Sequence, residues 1–173
     1  MEHLKAKIRQ VPDFPKPGIL YYDITTLLRD PIGLTEVIDA LTEPFQGQQI
    51  DLVVGIESRG FILGAAVADR LRAGFVPARK PGKLPAGTIQ QSYDLEYGSD
   101  ALEIHQDAIE QGQRVLIVDD LLATGGTARA ALDLVRKTGG EIAGMAFLVE
   151  LQFLGGRARL GDVPLFVALR YTS

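Results

Sequence analysis

RVLIVDDLLATGGT, residues 114 to 127, divides into three parts with different physics. Val115 to Val118 is a run of β-branched and aliphatic residues, the pattern of a strand buried on both faces of a parallel sheet. Asp119 and Asp120 stand at the C-terminal end of that strand. Ala123-Thr124-Gly125-Gly126-Thr127 is small and hydroxylated, and it leads into a helical pattern from Ala128 to Lys137. A strand, a tight turn and a helix N-terminus in this order make an anion site, because free backbone N–H groups and the positive end of the helix dipole converge there. The glycines let the backbone come close, and the Thr hydroxyls add donors. Two acids beside such a cradle would repel a phosphate. They suit the hydroxyls of an attached sugar, or a divalent cation arriving with the ligand. The stretch therefore fits a ligand with a phosphate at one end and a diol beside it, a ribose 5-phosphate. A plain strand end, a Gly-rich turn and an N-capping Thr form the simpler alternative. No Gly-Lys-Ser/Thr closes the turn as in a Walker A loop, and the dinucleotide spacing G-x-G-x-x-G is absent.

Outward from this stretch, the same grammar repeats. Asp51 to Ile56 reads as another buried strand, followed by Glu57-Ser58-Arg59-Gly60 and a helical run from Phe61 to Leu71. Gly74 to Ala78 is a short strand that runs into Arg79-Lys80-Pro81-Gly82-Lys83. Glu141 to Val149 and Val163 to Leu169 supply two more strands, and Pro31 to Phe45 carries apolar residues at helical spacing. The alternation predicts an α/β fold, a central parallel sheet flanked by helices on both faces. In such folds ligands sit outside the C-terminal ends of the strands, where Arg59 and the Arg79, Lys80, Lys83 group fall. Arg59 also suits a surface ion pair, and a charge run also suits a solvated face. On a chain of net charge −4, cations gathered at a strand end fit a ligand carrying several negative charges.

The remaining segments are less regular. Leu4, Ile8 and Val11 predict a short amphipathic helix over residues 2 to 10. The two prolines and the glycine of DFPKPGILYYDI, residues 13 to 24, predict an extended loop with large apolar side chains. Phe14 and Tyr21 either pin that loop to the core or offer an aromatic platform to a flat base. Leu84 to Leu102 reads as a hairpin around Gly98, placed to close as a lid and exclude water. His105, alone at its end, reads as structural or exposed.

Bulk properties bound the class. At 173 residues, 46% hydrophobic and 23% charged, the chain suits one globular domain. No apolar run approaches the ~20 residues of a membrane span, and the N-terminus lacks a signal-peptide core. With no cysteine, a cytoplasmic setting is expected. The acidic balance argues against a nucleic-acid partner. No linker, repeat or low-complexity tract divides the chain.

VLIVDDLLATGGT resembles the phosphoribosyl-pyrophosphate (PRPP) motif of the type I phosphoribosyltransferases. From about Ile8 to Tyr171 the chain is similar to the adenine-using members of that family. The resemblance implies their fold, here residues 1–173 as one domain with a small N-terminal hood (1–32) and a flexible hairpin lid (84–104). It implies the reaction of adenine with PRPP to give AMP and pyrophosphate, with Mg²⁺ brought through substrate and water rather than by a protein ligand. The family pattern places the 5′-phosphate and ribose on Asp119, Asp120, Ala123, Thr124, Gly125, Gly126 and Thr127. Pyrophosphate falls to Ser58, Arg59, Gly60, Arg79, Lys80 and Lys83. Adenine falls to Tyr21 by stacking, to Leu20 and Tyr22 through their main chain, and to Leu151, which an ordinary core role would equally explain. Some relatives carry Arg at the position of Tyr22, a change that a main-chain contact survives. Glu96 and Tyr97 match the catalytic pair on the lid. A homodimer is implied, with Arg79 reaching the partner's site. A transferase for another base is the nearest alternative, opposed by the DFPKPGILYYD loop and the Leu95-Glu96-Tyr97 lid. A PRPP-sensing regulator would need a nucleic-acid surface, for which this acidic chain carries no added module. A purely structural or interaction protein would have no use for an acid pair beside a phosphate cradle.

Overall fold

A computed structural model describes residues 1–95 and 98–173, so Glu96 and Tyr97 lie outside the described residues. The chain opens with a 3-10 helix, Glu2–Lys7, and two short antiparallel strands, β1 (Arg9–Pro12) and β2 (Leu20–Asp23). This corrects the helix expected over residues 2 to 10 and the wholly extended loop expected over 13 to 24. The pairing of Arg9 with Asp23 and of Val11 with Tyr21 crosses a proline-rich turn, and no local periodicity announces it. Leu4, Ile8, Tyr22, Ile24 and Leu27 are buried and fasten this hood to the main body.

Two helices follow, α1 (Thr25–Leu28) and α2 (Pro31–Thr42). Asp30 caps α2 by accepting from the Gly33 N–H at 3.1 Å, and Pro31 sits where its missing N–H costs nothing. Then come β3 (Leu52–Ile56), α3 (Arg59–Leu71) and β4 (Gly74–Ala78). A hairpin of β5 (Thr88–Asp94) and β6 (Ser99–His105) precedes β7 (Arg114–Leu122), α4 (Gly126–Lys137), β8 (Glu141–Leu151) and β9 (Leu165–Tyr171).

Five of these strands form one parallel sheet in the order β4-β3-β7-β8-β9. Side chains alternate across it. Val53, Leu116 and Val118 join α2 and α3 in one apolar cluster, while Val54, Ile56, Val115 and Ile117 join α4 in a second. Helices therefore cover both faces, as the continuous apolar strands require. The hairpin lies against α4 on the second side, with Leu102 and Ile104 buried in that cluster. Strand β6 is thus anchored to the body by its apolar side chains.

Candidate active site

Strand order reverses between β3 and β7. One crossover leads from β3 outward to β4, while β7 lies on the other flank of β3 and leads toward β8. At such a switch point the two loops diverge and leave a crevice at the C-terminal ends of the strands. A cavity of about 370 Å³ opens there, bounded by Arg59, Lys80, Tyr93, Asp100, the acid pair and the whole of Ala123–Thr127. Strand β7 runs on to Leu122, so Asp119 and Asp120 belong to the strand rather than follow it. Gly125 then turns the chain at φ +85° and precedes α4, which begins two residues earlier than expected, at Gly126. A side chain at Gly125 would meet that left-handed backbone at a cost. The helix has no capping side chain, which leaves its first N–H groups for a ligand. The loop after β8 braces this turn from outside, because a Cβ on Gly156 would collide with the Ala123 carbonyl.

The acid pair is asymmetric. Asp119 is 8% exposed, and its Oδ1 accepts the Asp120 N–H at 2.9 Å. Burial, and then the neighbouring Asp120 carboxylate, push the Asp119 carboxyl well above the usual carboxylate range. Asp120 accepts a hydrogen bond from Arg59 Nε. Burial pulls the Arg59 guanidinium down, but Asp120 more than offsets this and holds it above its ordinary value. Its Cζ also lies 5.8 Å from the centre of the Tyr21 ring, so one cation links the acid pair to the hood.

Across the crevice, the β3–α3 turn carries Glu57, whose peptide to Ser58 is cis. The cations of the β4 exit loop are paired with acids. Arg79 Nε lies 3.3 Å and Lys83 Nζ 2.5 Å from Glu57, and Lys80 Nζ lies 3.1 Å from Asp100. On the hood, Tyr21 meets Phe14 edge to face at 5.1 Å, whereas Tyr22 turns inward against Tyr171 at 4.3 Å. The period of two in β2 sends the adjacent tyrosines to opposite sides. A hollow of about 440 Å³ lies beside Phe14, Tyr21 and Asp23.

Residues 23–162 match the family model of the phosphoribosyl transferase domain. The adenine phosphoribosyltransferase of Acidobacterium capsulatum is 65% identical over 99% of this chain and 95% of its own. The chain belongs to the adenine phosphoribosyltransferase family. It is a phosphoribosyl-transferring enzyme. The crystal structure of the adenine phosphoribosyltransferase from Rhodothermus marinus superposes with a TM-score of 0.95 at 58% identity, covering 98% of this chain and 97% of that one. The enzyme from Saccharomyces cerevisiae, solved with an imino-altritol bisphosphate and adenine, gives 0.91 at 44% identity and 97% coverage of each chain.

Against the adenine phosphoribosyltransferase pattern, the fold brings most of the sequence-derived residues together. Asp119, Asp120, Ala123 to Thr127, Arg59 and Lys80 share one cavity wall. Gly60 is buried against Asp119, and Ser58 is exposed just before α3. Arg79 is half-buried and Lys83 exposed on the adjoining loop. Leu20 is exposed, whereas Leu151 is 7% exposed within the core cluster that also holds Tyr22. His105 accepts weakly from the Ala86 N–H at 3.4 Å, away from the cavity lining. Sequence reasoning passed over Glu57, Tyr93 and Asp100. Glu57 stands at a strand end beside Arg59, so the strand-end rule itself flags it. Tyr93 and Asp100 face each other only through the hairpin register, which sequence spacing did not fix.

Proposed function

We propose that this chain transfers the 5-phosphoribosyl group of PRPP to adenine, giving AMP and pyrophosphate. One observation carries the reading: the α4 cradle, the acid pair and the cationic turns line a single crevice beside an aromatic hood. The bond from ribose C1 to pyrophosphate breaks with its electron pair leaving on the pyrophosphate, and positive charge develops at C1. Adenine supplies the new bond to C1 from a ring nitrogen and gives up a proton. The protein's part is positioning and electrostatics. Ala123 to Thr127 anchor the 5′-phosphate, and Asp119 and Asp120 hold the ribose hydroxyls where their charge favours the developing cation. Ser58, Arg59, Gly60, Arg79, Lys80 and Lys83 receive the pyrophosphate. Tyr21, Leu151 and the main chain of Leu20 and Tyr22 present the base. Glu96 and Tyr97 are assigned to the lid chemistry by family pattern alone.

The crevice offers carboxylate and hydroxyl oxygens and no thiolate, a donor set that suits Mg²⁺. Substrate phosphates and water would hold the ion, with Asp119 and Asp120 as the carboxylates facing its charge, and it would neutralise the leaving pyrophosphate. The reading includes a cytoplasmic homodimer. Light scattering in solution tests the assembly.

The deciding experiment mixes the protein with PRPP, Mg²⁺ and, separately, adenine, hypoxanthine, guanine and orotate. AMP from adenine alone is expected. Product from another base would discard the assignment of the hood, and saturable PRPP binding without product would make the chain a regulator.

A further inference from the structure

Glu57 gathers the whole β4 exit loop onto one carboxylate. Its Oε1 accepts the Lys80 N–H at 2.8 Å and lies 3.3 Å from Arg79 Nε, while Oε2 accepts from Lys83 Nζ at 2.5 Å. The Glu57 N–H in turn donates to the Ala78 carbonyl at 3.0 Å. Its side chain is 10% exposed and borders the crevice. Burial raises the carboxyl pKa, but Lys83, the Lys80 N–H and Arg79 more than offset this, so Glu57 is held ionised below its ordinary value. A fixed negative charge beside the seat of a polyanion opposes ligand binding by Coulomb repulsion. Its presence there needs a compensating benefit. Lysine is a point charge on a flexible stem, and without a partner its ammonium has no defined place.

We propose that Glu57 is a positioning residue, which folds the Arg79–Lys83 loop against the end of β3 so that its cations meet the pyrophosphate of PRPP. This rests on the reading of the crevice as the PRPP site. Two effects of removing the charge have opposite signs. Relief of repulsion would tighten PRPP and pyrophosphate, whereas release of the loop would weaken both.

Glu57→Gln retains the size and an acceptor for the Lys80 N–H while removing the charge. The expected result is a rise of about tenfold in the KM of PRPP and in the Kd of pyrophosphate measured by calorimetry. The KM of adenine should stay within about twofold, and Glu57→Asp should restore most of the PRPP affinity. A PRPP KM and pyrophosphate Kd that fall, or do not move, would overturn the proposal. Should Glu57→Gln fail to fold, Glu57→Asp, which keeps the charge on a shorter arm, takes the test: a smaller loss confined to PRPP and pyrophosphate is expected, and binding at the native level or tighter would overturn the proposal. Pyrophosphate binding needs no turnover, so it judges Glu57 even if the native chain makes no AMP, an outcome that would instead count against the assigned reaction.

Discussion

Asp119 and Asp120 are neighbours in the chain with different surroundings. Asp120 has a cation, Arg59, whereas Asp119 has a backbone N–H and a wall of buried atoms. A carboxyl whose pKa is raised in the folded chain binds its proton more tightly there than in the unfolded chain. Stability from Asp119 is therefore greatest below the ordinary carboxylate pKa of 3.8 and declines as pH rises from that value toward the raised one. Asp119→Asn keeps an oxygen for the Asp120 N–H and removes the buried charge. Without ligand, the variant should melt higher than the native chain at pH 7, with the gap closing as pH falls toward 4. Turnover should drop by about 100-fold, because charge facing the developing cation is lost. Calorimetry across pH and a steady-state assay check the two halves, and a lower melting temperature at pH 7 would sink the argument. Adjacency of the acids was plain in the sequence. Their inequality was not, since it comes from Arg59, 61 residues away.

At the scale of elements, the crevice depends on how closely α3 approaches β7. A Cβ added at Gly60 would lie 2.7 Å from Asp119 Oδ1 and 3.1 Å from the Val118 carbonyl. Backbone cannot yield there without moving the acid pair. Gly60→Ala should cost about 1–3 kcal/mol by overpacking, lowering the melting temperature by about 2–12 °C. It should also raise the KM of PRPP, as Asp119 is displaced. A variant that melts and turns over like the native chain would show that the approach is not tight. The helices α2, α3 and α4 and the strands of the parallel sheet were legible because their apolar periods are local properties. The β1–β2 pair was not, because its pairing partners are separated by the loop that contains Pro15, Pro17 and Gly18. The hairpin was read as two strands, but its packing on α4 through Leu102 and Ile104 was not, since that burial depends on a helix distant in sequence.

Across the whole molecule, a ligand bridging the β3, β4 and β7 loops binds only the folded chain. Linkage then predicts stabilisation by PRPP with Mg²⁺ of about 2.7 kcal/mol at 100 times its Kd. For a chain of 173 residues that is a rise of roughly 5–11 °C in melting temperature. Thermal melts against PRPP concentration check it, and adenine alone should shift the melt far less, since the base site proposed above rests on the hood and Leu151 and not on the three loops.

The order strand, acid pair, small-residue turn, helix was written in residues 114–127, because each part is specified by side chains within a few positions of one another. That order determined the sheet type, the uncapped helix start proposed as the phosphate cradle, and the family resemblance. Only the tertiary structure decided which charges face which. Arg59 comes to Asp120, Glu57 to the Arg79–Lys83 loop and Asp100 to Lys80 through strand order and hairpin register. Those are set by the burial of apolar faces far from the site, and electrostatic partnership at a few ångströms is invisible until that burial has placed the loops.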